Sequence, residues 1–146
     1  MDFTQKRFLS LDVGDATVGV AVSDLLLITA QGVETIRRNP RAPEKDFERL
    51  VELSRQYESR DFVVGYPRNM NGSEGPRCEF VKEFSAKLKE YIPDANIIFW
   101  DERLSTVAAA KSLIAADVSR AKRKKVIDKM AAVYILQGYL DSLPKL

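Results

Sequence analysis

Four carboxylates stand where a fold can hold them rigidly: Asp12, Asp101, Glu102 and Asp128. Asp12 lies near the end of the apolar run FLSLDV. Asp101 and Glu102 follow directly on ANIIFW, and Asp128 sits between Ile127 and Lys129 in an apolar helical stretch. A lone Asp in a strand is costly to bury, and buried charges are usually paired or bound to a metal. Carboxylates that converge repel one another, so a cluster persists only with raised pKa values or with cations bound. Mg²⁺ suits such a site, because it takes oxygen ligands from one or two carboxylates, water and substrate phosphate. Two such ions about 4 Å apart activate a water and stabilise the leaving oxygen in phosphodiester hydrolysis. That chemistry needs no histidine, and the chain has none. His-based acid–base catalysis, Ser-His-Asp and Cys-His pairs and the usual zinc ligand sets are thereby excluded.

Each acid also has a plain structural role. Asp12 can cap the turn at Gly14, and Asp101 or Glu102 can be a first-turn acid favoured by a helix dipole. Asp128 can pair with a neighbouring Lys or Arg. All these readings must hold together for the carboxylates to be unrelated. Other polar features carry less. Gly65, with Arg68, Asn69, Asn71, Gly72 and Ser73, closes an apolar run and suits either a phosphate-contacting loop or a surface connection. Arg103 follows the acidic pair and joins Arg68 and Asn69 as a candidate nucleic-acid contact. Arg120, Lys122, Arg123, Lys124 and Lys125 form a basic run beside Asp128. It is either a solvated face or the footprint that phosphate-backbone binding requires. Tyr66 and Trp100 read as packing residues and Cys78 as structural.

These residues belong to a chain of 146 residues and net charge +2, expected to form one compact domain over 1–146. The charge is too small to argue for nucleic acid without the local clustering. One cysteine excludes an internal disulfide and fits a reducing cytoplasm. No run approaches the roughly 18 apolar residues needed to cross a bilayer, and MDFTQKRF has no signal-peptide core, so no membrane partner is expected.

Periodicity supplies the supports. Phe8–Val13 and Thr17–Ser23 read as a hairpin turning at Gly14 and Asp15, and Ile28–Arg37 as a third strand of an antiparallel meander. A helix starts after Pro43, with Phe47, Leu50, Val51, Ser54 and Tyr57 on one face. Asp61–Gly65 is a buried strand, Tyr66–Gly75 a loop, and Pro76 opens a second helix. Ala95–Trp100 is the last strand. Ser105 can cap a short helix to about Ala116, and a largely buried helix runs from about Lys124 to Ser142. The order β-β-β-α-β-α-β-α-α predicts an α/β protein with a mixed five-stranded sheet. Three strands are antiparallel, the later ones parallel, and helices flank the sheet in a ribonuclease H-like fold.

On LDVGDATVGVAVSD (Leu11–Asp24), VVGYPRNMNGSEGPR (Val63–Arg77) and WDERLSTVAA with ADVSRAKRKKVIDKMAAVYILQGYLD (Trp100–Asp141), the chain resembles the YqgF/RuvX family of ribonuclease H-like proteins. The resemblance covers about Phe8 to Asp141. DxG alone is weak, but three motifs in order at this spacing are specific. The family is described through pre-16S rRNA nucleases and Holliday junction resolvase homologues. The resemblance implies a hydrolase that cuts phosphodiester bonds with Mg²⁺ or Mn²⁺, acting in the bacterial cytoplasm on the 5′ end of pre-16S rRNA. It places the catalytic acids on Asp12, Glu102 and Asp128, with Asp101 as an auxiliary metal ligand. Thr17 stands where many members carry Arg, and Tyr66 and Arg68 where GLPLN is common.

Three other readings compete. Resolution of branched DNA would require a two-fold dimer rather than a monomer, with Val107–Ala116 as a candidate contact. A binding module without catalysis would not need three intact acids. An ATP-binding protein of the actin and sugar-kinase type also begins its phosphate loop with DxG, but needs two such domains.

Overall fold

The computed structural model describes residues 6–104 and 120–144, with side chains described over 6–104 and 130–144. The expected helix Ser105–Ala116, and with it the Val107–Ala116 surface, lies outside the described residues. Five strands form one sheet: β1 (Phe8–Val13), β2 (Thr17–Ser23), β3 (Ala30–Arg37), β4 (Asp61–Tyr66) and β5 (Asn96–Asp101), in the order β3-β2-β1-β4-β5. β1, β2 and β3 are antiparallel neighbours, whereas β4 runs parallel to both β1 and β5. This is the expected mixed sheet. Helix α1 (Glu44–Gln56) connects β3 to β4, α2 (Pro76–Tyr91) connects β4 to β5, and α3 (Arg120–Ser142) closes the chain. Among the described residues, no helix is long and apolar enough to cross a membrane.

The pleat divides the core in two. Leu9, Leu11, Val13, Val18, Val20, Phe62 and Val64 point to one side, where Phe47, Leu50 and Leu53 of α1 and Val81, Phe84 and Leu88 of α2 cover them. Ala21 and Val63 point to the other, against Ala131, Ala132, Ile135, Leu136 and Leu140 of α3. Alternate residues of one strand face opposite sides, so this partition fixes the face of every side chain in the candidate site.

Helix α3 is apolar because it lies on the sheet, and between Met130 and Leu140 no residue is fully exposed. Its direction follows from three contacts. Ser10 Oγ donates to the Ala132 carbonyl at 2.7 Å, the Phe8 and Tyr139 rings meet edge-on, and Gln137 bridges the Ala30 amide and the Ile28 carbonyl. Contacts therefore move back along β1 as α3 advances, and the two run antiparallel. The Ser10 bond is fully buried. Ser10→Ala is expected to cost about 1 kcal/mol, seen as a lower urea midpoint at unchanged slope.

The strand bounds differ slightly from the expected ones. β3 begins at Ala30, not Ile28, because the Asp24 carboxylate accepts the amides of Ile28 (2.7 Å) and Thr29 (3.2 Å) and holds the turn closed. Leu27 takes a left-handed φ of 58° within it. β4 and β5 each run one residue further than their apolar patterns, to Tyr66 and Asp101, because those two residues still pair with each other.

Candidate active site

The site lies at the carboxyl ends of β1, β4 and β5, on the face covered by α3. Asp12 follows Leu11 of the α1/α2 face and is itself followed by Val13 of that face, so it shares the α3 face with Ser10. Its antiparallel partner on β2 is Gly19. On β4, the pairing Leu11↔Val64, continued by one residue, sets Gly65 beside it. Asp12 therefore stands between two glycines, in a row where neighbouring strands are about 4.8 Å apart. A glycine inside a strand marks a close approach of other groups.

At Gly65 the approaching groups are specific. A Cβ built there would lie 3.0 Å from Glu102 Oε1 and 2.5 Å from Ile135 Cδ1. Glu102 thus reaches over β4 and places its carboxylate in the side-chain space that Gly65 leaves vacant, next to Asp12. Gly65 pairs with Trp100 of β5, which packs on the same α3 face. Two of the four acids singled out from the sequence, Asp12 and Glu102, are brought to one place.

Asp101 is not brought to it. It follows Trp100 by one residue and falls on the opposite face, with Phe99. Its carboxylate is taken by Arg103: the backbone amide donates to Oδ1 at 2.9 Å, Nε lies 3.1 Å from both oxygens, and Nη2 donates to Oδ2 at 2.7 Å. Arg68 Nε stands 3.9 Å from Oδ2. The Arg103 guanidinium and amide, with help from Arg68, hold the Asp101 carboxyl below its usual range. The favourable energy of this pairing is present above the ordinary Asp pKa and is lost as the pH falls through the depressed one.

Asp128 lies in α3, but its side chain, like those of Arg120, Lys122, Arg123, Lys124 and Lys125, falls outside the described residues. Arg68 and Asn69 lie in the loop after β4. Arg68 stacks on the Tyr66 ring, 5.6 Å from its centroid, and its Nη1 is 3.4 Å from the Gly72 carbonyl. Asn69 closes the loop on itself, through Asn69 N to the Ser73 carbonyl (2.9 Å), Gly72 N to the Asn69 carbonyl (2.8 Å) and Asn69 Nδ2 to Ser73 Oγ (3.0 Å). Tyr66 is buried and packs on Phe99, and Trp100 on Tyr139, as packing residues should. Cys78 is buried within α2.

The Gly14 turn is braced from the α1/α2 side. Gly14 N donates to the Thr17 carbonyl at 2.9 Å, Arg38 Nη1 to the Gly14 carbonyl at 3.0 Å, and Arg77 Nη1 bonds Asp15 at 3.1 Å. Those two arginines rest on Phe80, with Arg38 also on Phe84. Thr17 is buried at the start of β2 and shares the α3 face with Gly19. Gly19, Arg38 and Arg77 were not among the candidates read from the sequence, and Gly65 was named there only with the loop that carries Arg68 and Asn69. The glycines carried a usable signal, since each interrupts an apolar strand. The arginines carried none, because their role depends on contacts between segments far apart in the chain.

The RuvX family, described as Holliday junction resolvase, matches residues 6–142. A protein of Desulfitobacterium hafniense named "Putative pre-16S rRNA nuclease" is 57% identical over 135 residues, covering 92% of each chain. One of Staphylococcus carnosus with the same name is 54% identical over 137 residues, covering 94% of this chain and 96% of its own. Among solved structures, RuvC of T. thermophilus in complex with a Holliday junction substrate superposes with a TM-score of 0.56 at 12% identity. That match covers 97% of this chain and 99% of that one.

Proposed function

The chain belongs to the RuvX family, and from that membership we propose that it is a metal-dependent nuclease that hydrolyses phosphodiester bonds of pre-16S rRNA in the cytoplasm. The observation that carries the reading is Glu102 Oε1 reaching into the vacant side-chain space of Gly65, beside Asp12. Two carboxylates carried by rigid strand ends, one of them reaching over Gly65 towards the other, fit a hard divalent cation such as Mg²⁺ or Mn²⁺. When bound, the cation supplies a nucleophile at neutral pH and charge stabilisation at the leaving oxygen.

Asp12 and Glu102 would hold it, with Asp128 as the third acid. The course of α3 supports that third assignment. Position 128 precedes Ala132 by about one helical turn, roughly 6 Å along the axis, and returns to the same helix face. Asp12 lies about 7 Å beyond Ser10 along β1, and Ser10 is bonded to Ala132. The two steps run in the same direction and are nearly equal, so the backbone of residue 128 comes alongside Asp12.

The carboxylates would hold and orient the cation and would not need to accept a proton. Arg68, Asn69, Arg103, Arg120 and the Lys122–Lys125 run would contact the nucleic-acid backbone around the cleft. Neutralising Lys122, Arg123, Lys124 and Lys125 together is expected to weaken binding across sequences alike. It should also reduce the slope of log K against log [salt] by about 2.8 to 3.6, at roughly 0.7–0.9 per phosphate contact. Titrations at several salt concentrations measure it, and a parental slope would rule out backbone contact by this run.

The proposal is tested by Mn²⁺- and Mg²⁺-dependent cleavage of a precursor 16S rRNA fragment and a four-way DNA junction, side by side. Cleavage of the RNA alone is expected. Symmetrical cutting of the junction instead would place this chain with the resolvases and require a two-fold dimer.

A further inference from the structure

We propose that Asp101 is a positioning residue and not a metal ligand: its carboxylate holds Arg103 against the loop after β4 and so aims Glu102 over Gly65. The inference rests on the nuclease reading of the Asp12–Glu102 pair and adds to it a device that sets the geometry of Glu102. Three observations carry it.

The first is the strand register. Asp101 and Glu102 are adjacent in sequence but leave the end of β5 on opposite faces. Asp101 falls with Phe99, and Glu102 with Trp100, above Gly65. The pairing of Tyr66 with Asp101 holds the Asp101 backbone in the sheet and keeps its side chain on the face away from Gly65.

The second is the bond from the Arg103 amide to Asp101 Oδ1 at 2.9 Å. An Asp side chain accepting the amide two residues on is a local turn cap. Here it ends β5 and opens the single 3-10 turn Glu102–Leu104. Glu102 is the residue enclosed by that cap, so its Cα–Cβ direction follows from the bond.

The third is the path of the guanidinium. With Nε and Nη2 held by Asp101, Arg103 turns Nη1 towards the Met70 carbonyl at 3.5 Å. Its plane lies over Gly72, whose φ is 88° and whose Cβ, if present, would meet Nη1 at 3.4 Å. The loop Arg68–Ser73 is closed by its own hydrogen bonds, so Arg103 docks on a preformed surface. Asp101 thus ties together the end of β5, the turn carrying Glu102, and the loop carrying Arg68 and Asn69.

The experiment compares Asp101→Asn, Asp101→Ala, Arg103→Ala, the double variant Asp101→Ala/Arg103→Ala and Glu102→Gln. Mn²⁺ affinity of the protein without nucleic acid is read by electron paramagnetic resonance, and kcat and KM are measured on the precursor rRNA fragment. Glu102→Gln is expected to lower Mn²⁺ affinity by about tenfold or more, on the scale of altered metal ligation. Asp101→Asn, which keeps the acceptor that caps the Glu102 turn, should leave it close to the parental value. Asp101→Ala should lower kcat about tenfold or more, as misplacement of a reacting group does. Asp101→Asn, which keeps the cap acceptor, should recover most of that loss. The double variant should be no worse than either alanine variant alone, because the two residues act as one unit.

Loss of Mn²⁺ affinity in Asp101→Asn equal to that in Glu102→Gln would make Asp101 a ligand and overturn the proposal. Defects that multiply in the double variant would overturn it as well. Unchanged Mn²⁺ affinity and cleavage in Glu102→Gln would overturn the carboxylate reading of the site, and the proposal with it.

Discussion

Asp12→Asn is expected to lower phosphodiester cleavage by at least about a hundredfold while leaving substrate affinity within about threefold of the parent. Asp and Asn are nearly isosteric, and Asp12 lies on a strand row between Gly19 and Gly65. The substitution therefore removes charge with little change in packing. Binding to a phosphate backbone is driven by cationic side chains, so losing one negative charge from the cleft should not weaken it. The loss must then appear in kcat rather than in KM. Single-turnover cleavage in Mn²⁺, with anisotropy titration of the same RNA, separates the two. An Asp12→Asn protein that cleaves at the parental rate would end the carboxylate mechanism. One that neither binds nor cleaves would point to a damaged β1, which a thermal melt would reveal.

The sequence carried the fold because its patterning is consistent from one segment to the next. Apolar runs of strand length alternate with helical spacing at Phe47–Tyr57 and Phe80–Tyr91, and the glycine and proline signals lie where chains turn. It also singled out the four acids as candidates, since each stands at the end of an apolar run or within an apolar helix. It did not separate Asp101 from Glu102. Adjacent residues leave a strand on opposite faces, but a strand that ends between them can deliver either one to the site. The outcome depends on the Asp101–Arg103 cap and on the absence of a side chain at Gly65. Arg103 itself was read as a nucleic-acid contact from its charge. Its guanidinium is also engaged by Asp101 and the Met70 carbonyl, a role that charge alone does not reveal. The bracing of the Gly14 turn by Arg38 and Arg77 was illegible for a different reason. It joins β1 to residues that reach it only after β3 and α2 have packed on the sheet.

Gly65→Ala is expected to destabilise the protein by about 1–3 kcal/mol, the usual cost of overpacking a filled core, and to lower cleavage by about tenfold. In a strand this substitution would otherwise be favourable, because alanine loses less backbone entropy than glycine on folding, and Gly65 is not at a positive φ. The loss therefore reports the contacts alone. The new methyl would stand 2.5 Å from Ile135 Cδ1 and 3.0 Å from Glu102 Oε1. Ile135 is fully buried, so it yields only if α3 lifts from β4, whereas Glu102 yields by turning its carboxylate away from Asp12. The two effects come apart in Gly65→Ala/Ile135→Val, which removes the crowded Cδ1 and moves one methyl across the interface. Stability, measured by urea unfolding, should return to within about 1 kcal/mol of the parent, since core volume is conserved. Cleavage should not return, because the alanine Cβ still occupies the space over which Glu102 reaches. A double variant that regained both would show that packing of α3, and not the approach of Glu102 over Gly65, limits the reaction.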